Sequence, residues 1–208
     1  MAEVYLQDVL RTPRGAARDW GALKDHSPID LLGGLFEPLL ARAKATSDSI
    51  DEVIIGCVTQ KGEQAGDVAR LAWLAARGAP AVPAQTVNLL CASGLAACIH
   101  AADRARAGSA RRLVAGGVES MSRSPLFSDE PVGHTNAGFM TRVGNVPTGV
   151  VADRLATRAG LDRQILEARA IQSHQRAARA EEENRFARSR VPVKDAGGNV
   201  LLEREQII

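Results

Sequence analysis

The residues with the clearest chemistry are Asn88-Leu89-Leu90-Cys91-Ala92-Ser93-Gly94. They set a cysteine where an apolar run ends and a helical pattern begins. The first backbone N–H groups of a helix have no internal partner, and the peptide dipoles make that end positive. A thiolate placed there is stabilised, and its nucleophilicity becomes available near neutral pH. Ala92, Ser93 and Gly94 are small, which lets a substrate approach the sulfur. Position alone leaves a second reading open, because free cysteines are often just small buried hydrophobes. Cys57, mid-strand among Ile54, Ile55 and Val58, reads as a packing residue. So does Cys98, two turns deeper than Cys91 on the same helical face. None of the histidines stands in a recognisable catalytic pattern. His100 and His174 fall in helical stretches, His26 precedes a helix start, and His134 lies in a long loop. Each reads as structural or solvated.

The elements that must position Cys91 can be read from periodicity. Val4 to Leu10 is short, partly alternating and ends at Arg11-Thr12-Pro13, so it reads as a strand. Ser27 can cap a helix with Pro28 in its first position. Ile29, Leu32, Phe36, Leu39, Leu40 and Ala43 then follow at helical spacing, with Pro38 expected to kink or split the helix. Glu52 to Thr59 reads as a buried strand, Asp67 to Arg77 as a helix, and Ala84 to Leu90 as a strand. Ala92 to Ala107 reads as a helix with Leu95, Cys98, Ile99 and Ala102 on one face, and Arg112 to Val118 as a strand. This alternation predicts an α/β chain of βαβ units: a parallel sheet covered by helices. From Ser120 to Thr148 the chain is rich in Gly, Pro, Ser and Asn without a sustained period, a long excursion of the kind that is often functional. Helical stretches follow near Gly149–Arg158 and Arg163–Arg185, then short strands around Gly197-Gly198.

Composition excludes several classes. The 208 residues suit one domain or one and a half. Apolar residues make up 45% and aromatics 3%, so the core must be built from Ala, Leu, Val and Ile. With 26 basic and 24 acidic residues the net charge is +2, which points to neither nucleic acid nor a membrane surface as partner. The scarcity of aromatics argues against a base-stacking face. Three irregularly spaced cysteines with no C-x-x-C imply neither a disulfide framework nor a metal site, and fit a cytoplasmic location. No signal peptide or membrane span is expected. No G-x-G-x-x-G follows a strand and no G-K-[ST] occurs, so dinucleotide and P-loop readings fail. A nucleophile elbow needs glycines where Leu89 and Ser93 stand, so a hydrolase of that kind ranks last.

The block from Val82 to Pro125 resembles the thiolases, the acetyl-CoA acetyltransferases and 3-ketoacyl-CoA thiolases. Their pattern there is close to T-V-N-x-x-C-x-S-G, a helix ending in A-G, then V-A-G-G-x-E-S-M-S. Thr86, Val87, Asn88, Cys91, Ser93, Gly94, Ala107, Gly108, Val114, Ala115, Gly116, Gly117, Glu119, Ser120, Met121 and Ser122 match it in register. Arg11-Thr12-Pro13, Asp51 to Gly56 and Ser173 to Ala177 resemble flanking family segments. The resemblance implies a layered thiolase-like fold with helices on both faces of a parallel-rich sheet. Residues 1–119 would form the N-terminal α/β half carrying the nucleophile, and residues 120–208 part of an inserted loop domain, a coenzyme-binding lid. It further implies ping-pong acyl transfer through Cys91, with coenzyme A and acyl-CoA as substrates and no permanently bound cofactor. The Cys91 backbone N–H would help hold the oxyanion, and a homo-oligomer, dimer or tetramer, is implied.

The pattern is also incomplete. The family supplies a His in G-H-P and a second Cys in C-x-G-G-G, both downstream, and this chain contains neither. The chain is therefore expected to need a C-terminal half for activity, and to be poorly soluble alone. The competing expectation is a non-catalytic thiolase-like subunit or truncated product that binds a partner or an acyl-CoA. Where many biosynthetic thiolases carry H-M-G, this chain has Val146-Pro147-Thr148-Gly149, so the resemblance leaves the acyl chain open. The arginines between Arg154 and Arg190 could hold coenzyme phosphates. The interspersed Glu167, Glu181, Glu182 and Glu183 favour a solvated face of mixed charge instead.

Overall fold

A computed structural model describes residues 3–206. Strand β1 (Glu52–Gly56) is the middle of a three-stranded parallel sheet, flanked by β2 (Ala84–Val87) and β3 (Leu113–Gly117). Ile54 aligns with Gln85 on one side and Ala115 on the other. Every residue of β1 is buried, as its apolar, β-branched run requires in a parallel sheet covered on both faces.

Alternating side chains of β1 divide the core between two layers. Val53 and Ile55 join Leu32 and Phe36 of α1 (Pro28–Arg42) and Ala69, Ala72 and Trp73 of α2 (Val68–Ala75). Ile54 faces Ala97 and Ala101 of α3 (Ser93–Arg106) on the other side. Trp73 is fully buried, meets Phe36 edge to face at 5.2 Å, and donates its indole N–H to Ala79 O at 3.1 Å. Thr86 ties β2 to α2: its hydroxyl donates to Asp67, the α2 cap, and accepts the Ala69 amide.

Ser27 caps α1 and Pro28 takes its first turn as expected. Pro38 does not split that helix, which runs unbroken through it. The hydrogen bond that Pro38 cannot make frees the carbonyl of Gly34, an exposed residue where water can satisfy it. The segment expected as a first strand, Val4 to Leu10, is not one. Among the described residues its backbone finds a ladder partner only just past its end, where the Arg11 amide donates to Ser189 O and the Val191 amide donates to Arg11 O. A strand needs a neighbour along its length, and Tyr5 and Leu6 lie exposed instead. The excursion after Ser120 folds locally into short helices α4 (Val132–Thr135) and α5 (Ala137–Val143).

By packing, the described residues up to Ser128 and those from Ser189 onward form one compact unit, and Asp129–Arg188 forms another. Into the first unit the chain returns as an antiparallel pair, β4 (Val193–Lys194) and β5 (Val200–Leu202). It is fastened there by Glu205, whose nearly buried carboxylate pairs with Arg11 at 2.5 Å and Arg14 at 3.1 Å. The second unit consists of α4, α5, α6 (Thr148–Arg158) and α7 (Arg163–Glu182). Among the described residues no helix is long and apolar enough to cross a membrane.

Candidate active site at Cys91

Strand β2 ends at Val87, and after five intervening residues the chain enters α3 at Ser93. The reversal is tight. Leu90 adopts a left-handed backbone, φ 49°, a conformation disfavoured for a side chain with a Cβ. Asn88 supports it from one side: its Oδ1 accepts the Leu90 amide at 2.9 Å, and its Nδ2 donates to Val58 O at 3.0 Å, anchoring the turn to the segment after β1. The Ala92 amide closes onto Leu89 O and the Ser93 amide onto Leu90 O. Cys91 therefore sits one residue before the helix cap Ala92, and it is exposed. Among the described residues its own amide donates to no acceptor.

Glycines let α3 approach the sheet closely enough to hold this geometry. A Cβ on Gly56, the last residue of β1, would fall 2.3 Å from the Ser93 carbonyl carbon and 2.4 Å from the Gly94 nitrogen. On the neighbouring strand, a Cβ on Gly117 would meet Gly56 O at 3.2 Å and Gly94 Cα at 3.4 Å. Sequence reading credited the small residues after Cys91 with giving access to substrate. It missed that Gly56 and Gly117 seat the helix start, although the paired glycines before Glu119 carried that signal.

Glu119 and Ser120 of the second matching block organise a neighbouring loop. The Glu119 carboxylate accepts the Val58 amide at 2.9 Å, the Thr59 amide at 3.3 Å and Gln64 Nε2 at 2.8 Å. Gln64, fully buried, also donates to Thr59 O and accepts the Ser120 amide at 2.7 Å. Sequence reading left Gln64 out; it lies outside every motif, and only its burial marks it. A cleft of about 200 Å³ lies between residues 12–17 and 119–122, and Cys91 is not among its lining residues.

The other cysteines divide. Cys57 is buried as expected; burial, then the Glu119 charge, pushes its thiol up to about 12, so it stays protonated and inert at neutral pH. Cys98 is exposed, against the packing reading. So is the face expected to pack: Leu95 is 65% and Ile99 50% exposed, while Ala96, Ala97 and Ala101 go inward. The close approach of α3 leaves room for alanines alone. Within the first unit, neither His26 nor His100 is hydrogen-bonded to Cys91 among the described residues. His100 is exposed on α3. Of the arginines after Arg154, Arg163 pairs with Glu167, and Arg179 and Arg185 pair with Glu183, the mixed-charge pattern of a solvated helix. Among the described residues no cluster of His, Cys, Asp and Glu could hold a metal ion.

Residues 4–206 match the family model described as the thiolase N-terminal domain. A 3-ketoacyl-CoA thiolase of Bacillus subtilis is 35% identical over 199 residues, which cover 93% of this chain and 49% of the relative. A beta-ketoadipyl-CoA thiolase of Pseudomonas aeruginosa is 34% identical, covering 98% of this chain and 55% of the relative. Among solved structures, the Acat5 thiolase of Ascaris suum in complex with coenzyme A superposes with a TM-score of 0.75 at 28% identity, over 88% of this chain and 50% of that one. The chain spans about half the length of these relatives.

Proposed function

Because the chain belongs to the thiolase family, matching its N-terminal domain almost throughout, we propose that it is the nucleophile-bearing half of an acyl-CoA C-acyltransferase in which Cys91 forms the acyl-enzyme. The observation that carries this reading is an exposed Cys91 at the mouth of α3 whose own amide no described residue claims. In the thiolytic direction the Cys91 thiolate adds to the ketone carbon of a 3-ketoacyl-CoA. The bond from that carbon to C2 breaks, the acyl group stays on sulfur as a thioester, and the departing acetyl-CoA carbanion takes up a proton. A coenzyme A thiolate then displaces Cys91, releasing the shortened acyl-CoA and restoring the enzyme thiolate. Condensation runs the same steps backward. Each addition puts negative charge on the carbonyl oxygen, and the Cys91 N–H is a donor suited to it.

The proton-transfer groups come, on this reading, from a C-terminal half bearing G-H-P and C-x-G-G-G, and residues 120–208 serve as part of the coenzyme-binding lid. Assembly with that half, or into a dimer or tetramer, belongs to the same proposal. The named relatives act on different acyl groups, so the reading extends to acyl-CoA as a class. One alternative is a thiolase-like subunit that binds a partner or an acyl-CoA without catalysis.

The test supplies acetoacetyl-CoA and coenzyme A to the chain together with a polypeptide carrying the two motifs, from the following or a neighbouring reading frame. Acetyl-CoA should form. Binding of acyl-CoA without turnover would favour the alternative. A second expectation concerns solution behaviour. Leu89, Leu90, Leu95 and Ile99 all expose large apolar side chains around the start of α3, and such surface associates in water. Light scattering on the isolated chain should report self-association; a monodisperse monomer would count against the need for a covering partner.

A further inference from the structure

We infer that Ser93 is a positioning residue that aims the Cys91 amide at the developing oxyanion; this rests on the assignment of Cys91 as nucleophile. The Leu90 carbonyl and the Cys91 N–H belong to one peptide unit. The described residues contain no cis peptide, so these two groups point in opposite directions. Whatever fixes the carbonyl therefore aims the N–H. Two donors fix it, the Ser93 amide at 2.9 Å and the Ser93 hydroxyl at 2.5 Å. The same hydroxyl oxygen accepts the Leu89 amide at 2.9 Å. One side chain thus grips the peptide units before Leu89 and after Leu90, holding Leu90 in the left-handed conformation it would not choose alone.

Three features separate this from an ordinary helix-start serine. The cap residue Ala92 has no side-chain cap bond, and the Ser93 hydroxyl reaches backward into the turn instead of forward along the helix. Ser93 is only 3% exposed, which limits replacement of its hydroxyl by water. Its backbone is seated against Gly56, so the grip is anchored to the central strand. With the carbonyl held toward the helix, the Cys91 N–H faces away from it, where no described residue accepts it.

The test exploits a difference between two reactions of the same sulfur. Acetylation from acetyl-CoA develops an oxyanion, whereas alkylation by iodoacetamide does not. Peptide-mapping mass spectrometry follows both at Cys91, with buried Cys57 as the reporter of unfolding. In Ser93→Ala, acetylation of Cys91 should fall about tenfold to a hundredfold while its alkylation stays within about threefold and Cys57 stays unlabelled. Ser93→Thr, which keeps the hydroxyl, should retain acetylation within about threefold of the native rate. Unchanged acetylation in Ser93→Ala, or an equal fall in both reactions with Cys57 protected, would overturn the inference. If Ser93→Ala exposes Cys57, Ser93→Thr decides: retained acetylation supports the role, and a tenfold loss with Cys57 protected removes it. A native chain that takes no acetyl group, either alone or together with its C-terminal half, sinks the nucleophile assignment itself. That result is distinct from a native chain and an alanine variant acetylated equally fast.

Discussion

Replacing Cys91 with serine is expected to slow acyl transfer by on the order of 10⁴-fold or more, equivalent to about 5 kcal/mol of barrier. A serine hydroxyl is far harder to ionise than a thiol, and among the described residues of the first unit neither His26 nor His100 is hydrogen-bonded to position 91. The oxyanion donor and the substrate surface would survive, so a residual rate is expected. The fold should hardly notice. Cys91 is exposed and packs into no core cluster, and surface substitutions of that kind stay within about 0.5 kcal/mol. Thermal unfolding and acetylation measured on the same preparation separate the two effects. A serine variant that keeps its acylation rate would remove Cys91 from the chemistry.

The second large effect is expected far from the sulfur in sequence. Gly56→Ala should destabilise the chain by about 1–3 kcal/mol, and also slow acylation of Cys91 by roughly a hundredfold. The new methyl would sit 2.3 Å from the Ser93 backbone. Ordinary carbon contacts lie near 3.5–4.0 Å, so relief demands a shift of about 1 Å or more. The obstructing atoms are backbone, at the first turn of α3, and cannot rotate away. The helix start must lift, and the Leu89–Ala92 turn, bonded to Ser93, must move with it. Gly116→Ala is the control. It lies one strand away, beside Ile55, with open space where its Cβ would go. There the change should cost less than about 1 kcal/mol, and the lower flexibility of alanine could even stabilise the strand. Equal behaviour of the two variants in a denaturant titration would show that the close approach does not matter.

Much of this was legible because the signals are local. Val53, Ile54 and Ile55 form an apolar, β-branched run, and a strand buried on both faces is the element that satisfies it. Asn88 to Gly94 announces a strand-to-helix corner with a cysteine on it, and Cys91 stands there, exposed. The misreadings arise where the outcome depends on what lies opposite. Val4 to Leu10 has strand composition, but pairing is a property of two segments, and among the described residues its backbone finds a ladder partner only past its end, at Arg11. On α3 the larger apolar residues Leu95 and Ile99 mark the face that periodicity would bury. The glycines of β1 and β3 draw the helix so close that alanines fill the gap, and the larger side chains are turned outward. The return of residues after Ser189 to the first unit rests on contact across the whole length of the chain, of Arg190 with Arg11, of Glu205 with Arg11 and Arg14, and of Gln206 with the Ala16 and Ala22 amides. No window of sequence contains that contact. Ser93 was visible as a small residue beside the sulfur, while its hydroxyl geometry emerges only from the left-handed turn at Leu90.

The most direct measurement is peptide mapping by mass spectrometry after incubation with acetyl-CoA, on the native chain alone and on the chain with its C-terminal half. An acetyl thioester on Cys91, absent from Cys57 and Cys98 and discharged by added coenzyme A, is the predicted result. A Cys91 that stays unmodified under both conditions, or an acetyl group distributed alike over Cys91 and the also exposed Cys98, would contradict it.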